Sequence, residues 1–274
     1  MSTRPFRFAV QATPQDGPRW LATARRAEEL GYATLMMPDG MQLPSPLPAL
    51  ALAAGATSSL RVGTFVLASA LRPPGLAAWD AHSLSVLSDG RFEFGIGTGR
   101  PEVVEQAVRL AGQPPTTGAE RLARVEQTID ALRELDTGRH TPVLVAAGGP
   151  RARALAAAKA DIVTLAIGPL TSRDEAARLA AEVREAAGTR AGSLEFESPI
   201  FVVGDEAPAW MQRFLQADFG TLVARDSLHI VRGSPRQMAD ELLRRRDEIG
   251  ISYYSVNAAF LERFALVVEL LAGQ

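Results

Sequence analysis

Apolar residues alternate at Phe6, Phe8 and Val10, a period of two that predicts a β-strand with one face buried. TPQDG breaks that strand, and Leu21, Ala24 and Ala27 then recur at helical spacing up to Gly31. The same succession repeats along the chain. TLMMPDG predicts a second strand, and PLPALALAAGATSS a helix with proline in its first turn, where no intrahelical N–H is needed. RVGTFVLA is a third strand, followed by the helix GLAAWDAHSLSVLSDG with Gly90 past its end. RFEFGIGTG is a fourth, with Phe92, Phe94 and Ile96 on one side, and Leu122, Val125, Ile129 and Leu132 mark a following helix. VLVAA, DIVTLA, LEFESPIFVV and ISYYSV complete the strands, each followed by a helical pattern. A less regular segment, 207–233, follows the seventh strand.

Eight β-then-α units in about 250 residues predict an α/β fold, a single (β/α)8 barrel of the TIM type with short insertions, as one domain over 1–274. A doubly wound open sheet shares the alternation, but the count of eight favours the barrel. In such barrels chemistry sits where strands end and helices begin. The top-face segments are therefore TPQDGP, PDGMQLPSP, SALRPPG, GTGRPE, AGGPR, IGPLTS, GDEAP and NAAF.

Composition narrows the function. The net charge of −2 gives no reason to expect nucleic acid or an acidic membrane surface as partner. With no cysteine, disulfides and thiolate metal sites are excluded. The N-terminus lacks the apolar core of a signal peptide and no run reaches the ~18 apolar residues of a membrane span, so the expected location is the cytoplasm. Lys159 is the sole lysine against 29 basic residues, a bias read as that of a GC-rich bacterial genome. The three histidines have no metal-binding spacing, so no catalytic metal is expected. His82 reads as a satisfied helix-face residue, His140 falls on the bottom face, and His229 reads as a surface or loop residue.

Two top-face segments stand out. In AAGGPR, strand five runs through Ala146, Ala147, Gly148 and Gly149 into a helix opened by Pro150 and Arg151. Glycines there let backbone N–H groups approach an anion, and the helix start adds partial positive charge. An ordinary βα turn explains the same glycines. GIGTG, with Gly97, Thr98 and Gly99, is a strand end of small residues suited to close approach of a flat ligand. Asp39 ends strand two after an apolar run and reads either as a partly desolvated carboxylate or as a silent Asp-Gly turn.

The stretch LRVGTFVLASALRPPGLAAWDAHSLSVLSDGRFEFGIGTGR, with VLVAAGGPRARALAAAKADIV and GSPRQMADELLRRRDEIGISYYSVN, resembles the luciferase-like superfamily, and its coenzyme F420-dependent branch in particular. The resemblance implies a deazaflavin across the top of the barrel, its phosphate on Ala147, Gly148 and Gly149, with Ala146, Pro150 and Arg151 also at the cofactor. It implies a bulge with a cis peptide near Thr64, Phe65 and Val66 against the ring, and Gly97, Thr98 and Gly99 beside the ring's polar edge. Asp39 is then expected at the cofactor, it or an ordered water as proton source, and Arg100 at the acceptor. Relatives often carry Asp-His where this chain has Asp39-Gly40, and some sugar-phosphate-oxidising relatives a glutamate where it has Arg100; both departures argue against a sugar-phosphate dehydrogenase. The implied activity is hydride transfer from F420H2 to an activated C=C or C=N bond. Alternatives are an FMN-dependent monooxygenase and a non-catalytic flavin-binding protein. A homodimer is implied by resemblance alone. The short link AIGPLTSRDE after strand six leads to the expectation of a wide mouth and a bulky natural-product or peptide substrate.

Overall fold

The structure, a computed structural model, describes residues 4–274. Its strands are β1 (Arg7–Gln11), β2 (Thr34–Met37), β3 (Arg61–Thr64), β4 (Leu67–Ala68), β5 (Phe92–Gly97), β6 (Val143–Ala147), β7 (Ile162–Leu165), β8 (Glu195–Ile200), β9 (Val202–Val203), β10 (Ile230–Val231) and β11 (Ile251–Asn257). All barrel pairings are parallel. β1 lies between β11 and β2, β2 pairs with β3, and β3 and β4 both pair with β5. The ladder continues through β6 and β7 to β8, which pairs with β11 and closes the ring. The fold is the expected TIM-type barrel, with β3 and β4 together forming its third strand.

Alternation along each strand sorts side chains to two sides. Phe8, Val10, Leu35, Phe94, Val145 and Tyr254 face outward into the core beneath the helices, and Phe8 meets Phe264 edge-on at 5.6 Å. The inward residues stack in layers. At the bottom, Arg7 bridges Glu93 and Glu195, Arg61 reaches Glu93 at 2.7 Å, and the Tyr253 hydroxyl donates to Glu93 at 2.9 Å. Burial works to raise the Glu93 pKa, but Arg7 and Arg61 outweigh it and hold it below the usual carboxylate range. The middle layer carries Ala9, Met36, Leu144 and Ile162. The top layer opens to solvent and is described below.

Two departures from regular geometry shape the top. Between β3 and β4 the chain bulges and the Phe65–Val66 peptide is cis, where the resemblance implies one. Gly95 on β5 accommodates that bulge, since a Cβ there would stand 1.9 Å from the Thr64 carbonyl oxygen. The seventh barrel strand is shorter than LEFESPIFVV suggests. It stops at Ile200, and β9 leaves the barrel to pair with β10. The segment between them holds two short helices, Ala209–Leu215 and Phe219–Ala224. No helix of the described residues is long and apolar enough to cross a membrane.

Candidate active site

The C-terminal ends of the strands surround a cavity of about 1360 Å³. Its floor is the top interior layer, with Gln11, Gly97, Ala146, Thr164, Pro199 and Asn257. Phe65 and Val66 of the bulge form one wall, and Thr98, Gly99 and Arg100 the adjoining rim. Gly97 is fixed by packing, because a Cβ would meet Val66 at 2.9 Å and Ala146 at 3.2 Å. Gly99 holds a left-handed φ of 83° that favours glycine.

Gly148 and Gly149 also line the cavity, and neither is there for turn geometry. Gly149 has an ordinary extended backbone, φ −84° and ψ 167°, and Gly148 is not among the positive-φ positions. A Cβ on Gly149 would meet nothing within 4 Å, and one on Gly148 would make only van der Waals contact with Ala166. The helix Pro150–Lys159 that follows has no side-chain cap. The N–H groups of Gly148, Gly149, Arg151 and Ala152 find no acceptor among the described residues. A helix start with open donors beside bare backbone has the geometry that suits an anion. Arg153 braces it from behind, donating to the Gly148 carbonyl at 2.6 Å and pairing with Glu182 at 3.1 Å.

The structure thus brings Asp39, Phe65, Val66, Gly97, Thr98, Gly99, Arg100, Ala146, Gly148 and Gly149 to one cavity. Thr64, Ala147, Pro150 and Arg151 stand behind that lining. Thr64 is buried and donates its hydroxyl to the Gly95 carbonyl at 2.6 Å, tying the bulge to β5. Ala147 is buried at the end of β6, and Arg151 is exposed on the first turn of its helix.

Asp39, read from the sequence as a proton source, sits in an ion pair at the cavity. Arg72 donates to it at 2.6 Å and the Ala68 N–H at 3.0 Å, so its contacts all hold it as an acceptor. It pins the end of β2 to β4. Its partner Arg72 lies in the RPP turn, 33 residues away, a separation that left the pairing invisible in sequence. Arg100 is the N-cap of the helix Pro101–Arg109, with its guanidinium 5.1 Å from the centre of the Phe214 ring.

Phe214 belongs to the roof. Trp210, Met211, Phe214 and Leu215 of the first short helix in 207–233 overhang the cavity. The short link after strand six therefore does not leave the mouth unroofed, because the segment after strand seven supplies the cover. His229 is a second correction. It is buried and lines the cavity, with Nδ1 2.9 Å from the Pro199 carbonyl oxygen and its ring 5.0 Å from that of Phe201. Burial lowers its pKa, so it is a neutral imidazole at physiological pH. Its burial comes from the β9–β10 pairing, which a two-residue strand hardly announces. His82 and His140 lie away from the cavity, on Asp136 at 2.8 Å and Asp161 at 2.9 Å.

Sequence reasoning missed one acid. Glu197 of β8 is wholly enclosed one layer beneath the floor. Ser255 donates to its Oε1 at 2.5 Å, and Gln11 donates to Ser255 at 2.7 Å. Its Oε2 has no hydrogen-bond partner. Burial raises its pKa to about 8, against smaller opposing effects of Ser255, Thr164 and Arg7. The signal was available: Glu195 and Glu197 alternate in phase along a strand whose barrel face points inward.

The luciferase-like monooxygenase family matches residues 3–248. An F420-dependent glucose-6-phosphate dehydrogenase from Beutenbergia cavernae is 31% identical over 179 residues, 54% of this chain and 51% of that protein. The chain thus spans about half the length of the curated relatives it matches. Among solved structures, an F420-dependent secondary alcohol dehydrogenase in complex with an F420-acetone adduct superposes with a TM-score of 0.74 at 15% identity, over 98% of both chains. The oxygenating constituent of a Baeyer-Villiger monooxygenase from Pseudomonas putida, in complex with FMN, superposes with a TM-score of 0.72 at 14% identity, over 98% of both chains. At these identities the structural likeness speaks for the fold.

Proposed function

The chain belongs to the luciferase-like monooxygenase family, and from that premise we propose that it is an F420-dependent oxidoreductase that delivers a hydride to an activated C=C or C=N bond. The observation that carries the reading is the cradle at Gly148 and Gly149, two glycines that neither backbone conformation nor packing requires. The F420 dependence of the Beutenbergia relative supports deazaflavin over FMN.

When bound, reduced deazaflavin supplies the hydride. The chain's own residues do the rest. Gly148, Gly149, Arg151 and Ala152 offer N–H donors to the phosphate, with Ala146, Ala147 and Pro150 shaping the approach. Phe65, Val66 and the Gly97–Thr98–Gly99 strand end present a flat surface for the ring, which Thr64 fixes in place. Asp39 orders the β2 end through Arg72 and Ala68. Arg100, permanently charged, stands at the rim to hold or polarise the acceptor. The absence of an imidazole at Gly40 and of a carboxylate at Arg100 leaves a sugar-phosphate alcohol without a base at either position. The acceptor is a small molecule or a peptide that lies against Trp210 and Phe214.

A second reading, FMN-dependent monooxygenation, rests on the FMN-bound structural neighbour. Side-by-side titration with oxidised F420 and FMN separates the two. Binding of F420 at micromolar affinity or better, with FMN much weaker, is the expected result. Tight FMN binding with NADH-driven oxygen consumption establishes the second reading instead.

A further inference from the structure

Asp39 is held by Arg72 and the Ala68 N–H, whereas Glu197 is a buried acid with no ion-pair partner. We propose that Glu197 is the internal proton store of the cavity, delivering through the Thr164 hydroxyl the proton that accompanies hydride transfer. This inference rests on the reductase reading above.

The geometry is specific to this pair. Thr164 on β7 and Glu197 on β8 are direct partners in the strand register. Thr164 lines the cavity floor and Glu197 lies beneath it. One carboxyl oxygen is engaged by Ser255, while the other, Oε2, has no partner although it is fully enclosed. A buried carboxyl oxygen with no partner costs less stability in the neutral acid than in the carboxylate, which buries an unpaired charge. The charged groups facing Glu197 are Arg7, which favours its carboxylate, and Glu195, which opposes it. Arg7 is already committed to Glu93 and Glu195, so Glu197 has no ion-pair partner of its own. Burial thus keeps the acid protonated around neutrality.

One carbon of the acceptor's double bond takes the hydride, with its two electrons, from reduced F420. The other carbon takes the proton of Thr164 Oγ1. Thr164 recovers a proton from Glu197, which is left as a carboxylate and is reprotonated from solvent before the next turnover.

The test uses Glu197→Gln, Thr164→Val and Thr164→Ser in the full chain. Infrared difference spectra of the cofactor-free protein across pH 5–10 should show a protonated carboxyl that titrates near pH 8, kept in Thr164→Val and lost in Glu197→Gln. F420 affinity should stay within about twofold of wild type in all three variants. Single-turnover reduction of 2-cyclohexen-1-one by bound F420H2 should fall at least tenfold in Glu197→Gln and Thr164→Val and remain near wild type in Thr164→Ser. The fall in rate above pH 8 should vanish in Glu197→Gln. Wild-type protein that neither binds F420 nor reduces the enone counts against the reductase reading, and the infrared titration then decides for Glu197 alone. No titrating carboxyl near neutrality, or an unchanged rate and pH profile in Glu197→Gln, overturns the proposal. Where Glu197→Gln does not fold, full turnover in Thr164→Val overturns it.

Discussion

At the scale of single residues, three positions divide the work of the site. Gly149→Val places a side chain where open space now faces the cavity, at a backbone conformation valine adopts without strain. The fold should keep its melting temperature, while loss of one or two charge-assisted contacts costs about 3 kcal/mol, roughly a hundredfold in F420 affinity by fluorescence titration. Unchanged affinity in a folded variant shows that Gly149 does not hold the cofactor's phosphate. Asp39→Ala acts on stability instead. It leaves Arg72 unpaired and the Ala68 N–H open, and should cost about 2 kcal/mol in urea unfolding, below the fully buried range because Arg72 is partly exposed. Glu197 makes stability depend on pH in a direction opposite to most acids. Its pKa is about 8 in the folded chain against 4.5 for an ordinary glutamate. The folded state therefore binds the extra proton between those values, and its contribution to stability declines as pH rises from 4.5 to 8. Glu197→Gln should flatten that decline in melts recorded across this window. A decline identical to wild type shows that another group carries it.

At the scale of elements, the loops after β5, β6 and β8 carry the site, and their legibility in the sequence differed for physical reasons. Every barrel strand and most helices declare themselves by period, because the barrel buries one side of each strand under helices. The phosphate cradle was legible as a strand running through two glycines into a helix, a local signal. The roof was not. The helix Ala209–Leu215 is two turns long, and β9 and β10 are two residues each, too short for periodicity to register. Pairings across long separations, Asp39 with Arg72 or Glu197 with Ser255, are likewise set by the closed ring and not by neighbours in the chain. The roof helix has a testable part in substrate choice. Trp210 and Phe214 are about half exposed, and Arg100 reaches over the Phe214 ring at 5.1 Å. Phe214→Ala removes that contact and widens the mouth. It should raise KM for a small enone severalfold and leave a dehydroalanine-containing peptide less affected, since a larger acceptor keeps its other rim contacts. An equal rise for both indicates that the roof does not select by size. Arg100→Ala should instead lower kcat with F420 affinity intact; a collapse in F420 affinity moves Arg100 into the cofactor site.

At the scale of the whole molecule, one side of the barrel looks unfinished for a solitary chain. The helix Pro46–Gly55 contains no charged residue, and Pro48, Ala51, Leu52 and Gly55 form an exposed stripe at helical spacing. On the adjacent helix Pro74–Leu87, Leu76, Trp79 and Leu87 are also exposed, Leu87 to 79%. Isolated surface leucines need no explanation, but here exposed apolar side chains recur at helical spacing on two helices that touch, with the exposed Asp80 among them. We propose that a second copy of the chain covers it, as an isologous interface in which each face packs on its twin. These helices flank the barrel, and the cavity opens at its top, so pairing leaves the mouth free. Sedimentation equilibrium at micromolar concentration should give a dimer for the wild type. Trp79→Glu and Leu87→Glu place charges in the middle of the covered face and should each yield monomers that still bind F420. A wild-type monomer under those conditions removes the proposal, and a dimer that survives both substitutions places the interface on another face.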